Sequence, residues 1–151
     1  MRPAQADRAE QAVAGDLQAR GVRFTAARRL LVRSLAEAPG PLAAAELHEA
    51  LRDRLPLSSL YRSLAVLEEA RVLAKEHGGG GVARYELAEW LVGHHHHVVC
   101  TVCGEVRDAA VDPASEAAIG RLVERIAAAA GYRATAHRMD IEGTCPTCRP
   151  E

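Results

Sequence analysis

The sequence has few aromatic side chains and no long uncharged apolar run. Its 151 residues include one Trp, three Tyr and one Phe, so any core must be built mainly from aliphatic side chains. No stretch reaches the roughly 18 to 20 apolar residues that a membrane-spanning helix requires. Residues 1–20 carry charges throughout, unlike the apolar segment of a signal peptide. We therefore expect a cytoplasmic protein without a membrane partner.

A strong excess of either charge is also missing. The formal net charge is −1, which gives no global argument for binding nucleic acid. The two halves differ in sign, because residues 1–76 carry a net charge of +2 and residues 77–151 a net charge of −3. Within residues 20–62, eight arginines stand against four acidic residues. This segment is either a phosphate-facing region or a solvated helical surface, and charge alone does not separate the two.

The first half of the chain has the pattern of short helices separated by Gly and Pro. Hydrophobic residues make up 48% of the sequence, which is enough to bury a core and excludes wholesale disorder. Three helices are predicted at about residues 6–19, 25–38 and 43–54. Ser58 is the expected N-cap of a fourth helix, which carries an apolar stripe of Leu60, Leu64 and Leu67.

Two strand-like segments follow the fourth helix. They cover residues 72–77 and 82–87, and the glycines at 78–81 between them predict a hairpin. Helices followed by a hairpin are typical of a winged helix, in which the last helix enters a DNA groove and the hairpin is the wing. Residues 1–88 are therefore predicted to form a winged-helix DNA-binding domain.

The second half of the chain has a different pattern, with strands on both sides of one helix. Residues 89–93 (EWLVG) form a predicted hinge. Beyond it we expect two strands, a helix and a further strand, at residues 95–100, 105–108, 113–130 and 133–142. We therefore predict that residues 94–151 form a small metal-binding domain. Its own core should be thin, so a metal or a partner subunit should stabilise it. The predicted fold class is α+β.

Four cysteines form two identical C-x-x-C pairs, Cys100 with Cys103 and Cys145 with Cys148. Each pair brings two thiolates to one ion, and two pairs complete a tetrahedron with no open position, which is typical of a structural site. Zn²⁺ is the expected ion, because it prefers soft thiolates and adds no redox chemistry. The alternatives are a thioredoxin-like redox pair, which needs one C-x-x-C beside a βαβ pattern, and two disulfides, which need an oxidising compartment.

Four consecutive histidines, His94 to His97, lead directly into the first cysteine pair. Alternate side chains of a strand point to opposite faces, so this run is predicted to serve two metal sites. The expected partners are Glu86 and Asp108 for His95 and His97, and Glu116 and His137 for His94 and His96. Mixed nitrogen and oxygen ligation suits zinc, iron(II), manganese or nickel, and binds them more reversibly than four thiolates do. Such reversibility is expected of a metal sensor.

These motifs occur together in the order and spacing of a known family. In chain order they are GVRFTAAR at 21–28, LYRSL at 60–64, YEL at 85–87, the histidine run through Cys103 and Gly104, Ala136-His137, and GTCPTC at 143–148. Over about residues 16–149 the chain resembles the ferric uptake regulator (Fur) family of metal-dependent bacterial transcription repressors. The resemblance implies a homodimer with an N-terminal winged helix and a C-terminal α/β dimerisation domain, in which a regulatory metal favours the conformation that binds operator DNA.

The resemblance also implies roles for the candidate ligands. The four cysteines match the family's structural zinc ligands. A regulatory site for a second divalent metal, zinc or iron(II), matches Glu86, His95, His97 and Asp108. A further site matches His94, His96 and His137, and its helix carboxylate is either Glu116 or Glu124.

Two positions depart from the family pattern. Pro41 stands where many members have a hinge histidine, and Ala88 stands near a cysteine that is frequent in zinc-sensing members. Proline cannot ligate a metal through its side chain, so Glu76 and His77 are the alternatives for the missing ligand. The resemblance therefore leaves the sensed metal open.

The expected DNA contacts lie in the first half. Tyr61 and Arg62, with Ser59 on the same helix, are candidates for contacts in the groove, and Arg23 and Arg28 are candidates for phosphate contacts. Packing in the core is the alternative for Tyr61. We expect a metal-responsive repressor that binds double-stranded palindromic operator DNA as a homodimer and controls metal homeostasis genes.

Two other classes of protein could carry Cys and His sites of this kind. A zinc hydrolase or deaminase needs H-E-x-x-H, or H-x-E followed by P-C-x-x-C, and neither pattern occurs in the sequence, so no enzyme is expected. A zinc-buffering or protein-interaction module would share the Cys and His sites but would not require Tyr61 and Arg62 on a helix that follows three others. Metal-dependent binding to a duplex separates this module from a repressor.

Overall fold

The helices of the first half begin and end close to the residues that the sequence marks for them. The computed structural model describes residues 3–77 and 81–149 of the chain, so glycines 78–80 of the predicted hairpin turn lie outside the described residues. Thr25 caps the second helix by accepting a hydrogen bond from the backbone N–H of Arg28. The first four helices are α1 (Pro3–Ala19), α2 (Ala26–Glu37), α3 (Ala44–Leu51) and α4 (Leu57–Glu69).

The start of α4 corrects one prediction. Pro56 rather than Ser58 is its N-cap residue, and the Pro56 carbonyl accepts the hydrogen bond from the Leu60 N–H at 3.0 Å. The proline ring holds φ at −60°, so the helix can start one residue after it. Ser58 therefore lies in the first turn and caps nothing.

The strands of the first half form a three-stranded sheet in the order β1-β3-β2. The hairpin strands β2 (Leu73–His77) and β3 (Ala83–Leu87) pair antiparallel, with Leu73 opposite Leu87. Strand β1 (Leu42–Ala43) pairs with the other edge of β3. The sequence did not predict it, because two residues are too few to show alternation. Helices α1–α4 and strands β1–β3 are called the N-terminal unit below.

The predicted apolar stripe of α4 lies in the core of the N-terminal unit. Leu60, Leu64 and Leu67 are fully buried and belong to one cluster with aliphatic side chains of α1, α2, α3 and the sheet. Burial of this stripe turns the opposite face of α4 outward. The core thus holds the helix at the orientation in which Tyr61 and Arg62 reach solvent.

The second half contains α5 (Glu89–Val92), β4 (His96–Cys100), β5 (Val106–Ala109), α6 (Pro113–Ala129) and β6 (Asp140–Gly143). Strand β4 is central, antiparallel to β5 and parallel to β6. The prediction of a strand over 133–142 is wrong before residue 140. Strand β4 begins at His96 and its ladder with β6 starts at His97 opposite Asp140, so in this register Met139 is the only earlier residue that could lie opposite a residue of β4. Strands β4–β6 and helix α6 are called the C-terminal unit.

Helix α6 lies on the surface of the chain. Asp112 caps it by accepting hydrogen bonds from the N–H groups of Ala114 and Ser115, both at 3.0 Å. This helix is described throughout and buries none of its side chains, and Ile126 is 62% exposed. None of the described helices is both long and apolar enough to cross a membrane.

Candidate metal centres and DNA-facing surface

The four cysteines converge at one end of the C-terminal sheet. Cys100 ends β4 and lies opposite Gly143 of β6, so the parallel register brings the second cysteine pair beside the first. The four sulfur atoms lie within 4.8 Å of one another, and Cys103 Sγ is 3.9 Å from Cys145 Sγ. A tetrahedron with metal–sulfur bonds of about 2.3 Å has edges of about 3.8 Å. All four cysteines are free thiols, and their arrangement fits a closed Zn²⁺ site.

The electrostatics of the four thiols also fit a cation. Backbone N–H groups of Cys103 and Cys145 lower the pKa of the Cys100 thiol to about 6. The neighbouring sulfurs of Cys145 and Cys103 instead raise the pKa of Cys148 to about 12. Without a cation, therefore, the four thiols cannot all be deprotonated near neutral pH. A bound divalent cation removes that repulsion, because each thiolate then faces the ion.

The second group joins the two sheets. Glu86 lies on β3 of the N-terminal unit, whereas His95 directly precedes β4, His97 lies on β4 and Asp108 lies on β5. The Oε2 atom of Glu86 lies 3.0 Å from Nε2 of His95 and 3.0 Å from Nε2 of His97. The Oδ1 atom of Asp108 lies 3.9 Å from both nitrogens. Two imidazoles and two carboxylates so placed can hold one divalent ion across the two units.

The acid and base groups of this site shift each other's protonation. Burial acts to raise the pKa of Glu86, but hydrogen bonds from His97 and His95 outweigh it and lower that pKa. The hydrogen bond to Glu86 raises the pKa of His97. Burial acts to lower the pKa of His95, but its contacts with the Gly93 carbonyl and Glu86 raise it overall. Burial raises the pKa of Asp108. Without a metal, these contacts favour imidazolium beside carboxylate.

The outer nitrogens of these two histidines have different partners. The Nδ1 atom of His95 lies 3.0 Å from the Gly93 carbonyl, and Nδ1 of His97 lies 3.3 Å from Asp140 Oδ1. Such partners orient a ligating imidazole. The sequence reasoning did not select Asp140. Its only signal was a position on the strand face opposite His137, and the register that brings it to His97 is a property of the folded sheet.

The third group lies on the other side of β4. His94 Nε2 is 3.2 Å from His137 Nε2, and Glu116 Oε2 is 2.9 Å from His96 Nε2. The other Glu116 oxygen lies 3.3 Å from His137 Nε2. Of the two carboxylates left open by the sequence, Glu116 is in this group, whereas Glu124 lies further along α6 with an exposed side chain. Because alternate histidines of the run point to opposite sides, His94 and His96 belong to one group and His95 and His97 to the other, as predicted.

The segment that contains Pro41 contacts the C-terminal unit through its backbone. The Pro39 carbonyl accepts a hydrogen bond from the Asp108 N–H at 3.0 Å. A Cβ atom on Gly40 would lie 2.6 Å from the Val106 carbonyl oxygen and 2.7 Å from Arg107 Cα, so this close approach requires glycine. Where the family often has a ligand, this chain has a direct contact between the two units.

The two alternatives for the missing hinge ligand lie elsewhere. Glu76 forms an ion pair with Arg138, and His77 has an exposed side chain at the end of β2. Neither belongs to a ligand group among the described residues. Glu86 is therefore the residue that the N-terminal unit contributes to the second group.

The predicted DNA contacts lie on α4, on α2 and in the loop before α2. Tyr61 is 53% exposed and Arg62 is also exposed, while Ser59 is half-buried. The exposure of Tyr61 disfavours the alternative of core packing. Arg23 is exposed, but Arg28 donates a hydrogen bond to the Arg23 carbonyl and so also holds the loop before α2.

The basic excess of residues 20–62 is partly neutralised in the fold. Arg29 and Arg33 form ion pairs with Glu10 at 2.8 Å, and Arg20 pairs with Asp16 at 3.0 Å. Both acidic partners lie on α1, outside the basic segment. Local charge counted along the sequence therefore overstates the charge available to phosphates.

Comparisons with known proteins identify the family of the chain. The family model described as "Ferric uptake regulator family" matches residues 19–142. The ferric uptake regulation protein of Bacillus subtilis is 31% identical over 137 residues, which cover 87% of this chain and 89% of the relative. The peroxide-responsive repressor PerR of Staphylococcus epidermidis is 27% identical over 145 residues, which cover 94% and 91% of the two chains.

A solved structure supports the same assignment at the level of the fold. The Helicobacter pylori ferric uptake regulator Fur, described as having three functional metal binding sites, superposes with a TM-score of 0.73 at 22% identity and covers 97% of this chain and 95% of its own. The α+β fold is thereby confirmed, and it matches Fur structures, which have an N-terminal DNA-binding domain and a C-terminal dimerisation domain. Fur-family proteins are transcription regulators rather than enzymes. The chain therefore belongs to the ferric uptake regulator family of metal-responsive transcription regulators.

Proposed function

We propose that this chain is a metal-activated repressor that binds palindromic operator DNA as a homodimer. The position of Glu86 carries the proposal. It lies on the wing strand β3, yet its carboxylate is 3.0 Å from the inner nitrogens of both His95 and His97. A metal held by these residues and Asp108 ties the DNA-binding domain (1–88) to the dimerisation domain (94–151) across the hinge at 89–93.

The regulatory step is a change in domain orientation. Metal binding replaces the hydrogen bonds among Glu86, His95 and His97 with stronger, more directional ligand bonds. In a dimer, the angle between domains sets the separation of the two α4 helices, which must match half-sites about 34 to 36 Å apart. A coupling free energy of about 1 to 3 kcal/mol changes operator affinity by about 5- to 150-fold, enough for a switch.

The metal sites have distinct tasks in this proposal. The four cysteines hold a structural Zn²⁺, because their site is closed and all-sulfur. The regulatory metal at the Glu86 group is zinc or iron(II), since imidazole and carboxylate ligands suit both. The third group, His94, His96, Glu116 and His137, holds a further divalent metal.

The dimer forms through the C-terminal domain. On and beside α6, Leu122 is 46% exposed, Ile126 62% and Tyr132 75%. Large apolar side chains at this exposure are unfavourable in water, and a partner subunit that covers them supplies the core which this domain lacks. Two copies of the chain then present two α4 helices to a palindrome.

DNA recognition is assigned to the exposed face of α4. Arg62 and Tyr61 contact base edges with Ser59 at the same surface, and Arg23 and Arg28 contact phosphates. Arg62→Ala is expected to weaken operator binding by about 5- to 150-fold, since a bidentate base contact contributes about 1 to 3 kcal/mol. Arg8→Ala changes an exposed arginine on α1 and is the matched control. Unchanged affinity and salt dependence for the Arg62 variant in a mobility-shift titration would show that this assignment is wrong.

The decisive experiment is an operator titration at buffered free-metal concentrations. A duplex is selected from a random pool by the protein, and its affinity is then measured with zinc, iron(II), manganese and nickel. We expect tight binding only with the regulatory metal, and loss of that dependence in Glu86→Gln. Metal binding without any duplex selection would instead support a zinc-buffering or protein-interaction module and would overturn the repressor.

A further inference from the structure

Glu89 is a carboxylate that contacts the third metal group without belonging to it. Its Oε1 atom lies 2.9 Å from Nδ1 of His94. The other ring nitrogen of His94, Nε2, faces His137 Nε2 at 3.2 Å and Glu116 Oε1 at 3.6 Å. When Nε2 ligates a metal, Nδ1 carries the proton, and a carboxylate that accepts this hydrogen bond fixes the tautomer and the ring orientation. Glu89 is thus placed to orient His94.

The short helix α5, which carries Glu89, is attached to the N-terminal unit. The Ala88 N–H donates to the Val72 carbonyl at 2.9 Å, and the Trp90 indole donates to the Arg71 carbonyl at 2.9 Å. Arg71 follows α4 by two residues. Leu91 and Val92, also in α5, pack against the hydrophobic core of the same unit. Glu89, at the start of the predicted hinge 89–93, is therefore attached to the DNA-binding domain, whereas His94 leads into β4 of the other domain.

The corresponding contact at the regulatory group stays within one domain. Asp140, which lies beside Nδ1 of His97, belongs to β6 and pairs with His97 in the C-terminal sheet. The bond between Asp140 and His97 therefore supports a ligand but does not join the two units. The bond between Glu89 and His94 does both.

We propose that Glu89 is a positioning residue that links the His94 site to the DNA-binding domain and makes metal at that site a second input to domain orientation. The inference rests on the proposed function, since it requires that metal controls operator binding. Metal at Nε2 draws electron density from the imidazole and strengthens the hydrogen bond from Nδ1 to Glu89. The metal-loaded site therefore holds α5, and with it the DNA-binding domain, more firmly.

The test is a double-mutant cycle between Glu89→Gln and His137→Ala. His137 is the ligand chosen for removal because its side chain is 18% exposed, whereas that of His96 is 1% exposed, so its loss disturbs the fold less. Glu142→Gln, which changes an exposed carboxylate of β6, is the control. Each variant is titrated with Co²⁺ by absorbance after its structural zinc is verified, and operator affinity is measured with and without Co²⁺.

We expect Glu89→Gln to weaken Co²⁺ binding at the His94 site by about 10- to 100-fold and to reduce the metal-induced gain in operator affinity. In the His137→Ala background, the same change should have no further effect on either quantity. Equal effects in both backgrounds would mean that Glu89 only stabilises α5. An unchanged metal-induced gain in operator affinity would mean that Glu89 only supports a ligand. Either result overturns the inference. If the unmodified protein shows no metal-dependent operator binding, the proposed function itself fails.

Discussion

The two units of the chain bury different kinds of side chain. The N-terminal unit has an aliphatic interior that includes Leu17, Leu31, Leu47 and Leu64, all fully buried. In the described part of the chain after residue 93, the buried side chains are two histidines, one cysteine and one valine: His96, His97, Cys100 and Val106. Three of these four are predicted metal ligands.

This difference indicates how each unit is stabilised. Aliphatic burial contributes about 25 cal/mol per Å² and needs no partner, so the N-terminal unit can hold α4 in place by itself. An interior made of imidazoles and thiols gains little from burial until a metal satisfies these groups. The C-terminal unit therefore depends on metal and on a second subunit, which suits the part of a regulator that must respond to a metal.

The largest expected effect is loss of the cysteine site, which should disrupt the C-terminal unit and leave the N-terminal unit folded. Cys148→Ser removes one thiolate from a site type whose zinc affinity is worth about 10 to 16 kcal/mol in small zinc-dependent domains. We expect the variant to lose zinc and dimerisation together while α1–α4 remain protected from hydrogen exchange. Elemental analysis, sedimentation and exchange measurements check this, with Thr147→Ala as the control. A folded Cys148 variant that keeps its full zinc stoichiometry contradicts it.

A core substitution in the N-terminal unit should destabilise that unit and leave the zinc site and the dimer unchanged. Leu64 is 1% exposed, and Leu64→Ala is expected to lower the free energy of unfolding by about 2 to 5 kcal/mol. Zinc content and dimer formation should be unchanged, because neither depends on this core. Thermal unfolding with elemental analysis measures both. Zinc loss at temperatures where the variant is folded would show that the units are not independent.

The contact between the units is tested at Gly40. The Cβ of Gly40→Ala would lie 2.6 Å from the Val106 carbonyl oxygen, so backbone must move, at a cost of about 1 to 3 kcal/mol. We expect the units to separate in small-angle scattering and metal-loaded operator affinity to fall. Gly15→Ala on α1 is the control, since nothing lies within 4 Å of its Cβ position. Identical scattering and affinity for the Gly40 variant and this control would exclude a role for the contact.

The smallest expected effect is the change of metal affinity at the Glu86 group with pH. The pKa values of His95 and His97 are raised, so their stabilising contacts with Glu86 are present below the ordinary value of about 6.5 and are lost as the pH rises through the raised values. The lowered pKa of Glu86 means that its contribution is lost only as the pH falls through that value. Metal must displace the imidazolium protons, so apparent metal affinity should rise with pH by about tenfold per unit for each proton released.

Metal titrations between pH 5 and 9 measure this dependence, and Glu86→Gln is the matched variant. Without the carboxylate, the rise should level off at lower pH, because the histidines lose the contact that raises their pKa. The same pH profile in both proteins would mean that Glu86 does not control protonation of the site.

The order of the elements was predictable because it depends on local signals. Glycine, proline and cap residues placed the helices, and the leucine stripe of α4 matched its buried face. Apart from the N-cap of α4, which is Pro56 instead of Ser58, the errors lie where tertiary contacts decide. Strand β1 exists because β3 has a free edge for Leu42 and Ala43. Residues 133–138 are not a strand because β4 is too short to pair with them.

The ligand groups were predictable for a similar reason. Two C-x-x-C turns and four alternating histidines constrain geometry over a few residues, so spacing alone brings most members together. The choice of Glu116 over Glu124 was not predictable, since both lie on one helix and only its packing decides which faces His96. The roles of these residues in binding metal and DNA remain predictions.

By itself, the sequence determined that this protein has a winged-helix part, a four-thiol site and two histidine-containing groups, because short-range spacing and periodicity decide all three. Only the tertiary structure decided what connects them. The sequence already suggested Glu86 as a partner of His95 and His97, but the contact of Glu89 with His94 and that of the Pro39–Gly40 backbone with β5, between residues 5 and 69 positions apart, came from the structure alone. Such contacts depend on how the two units pack against each other, and no local pattern in the chain encodes that packing.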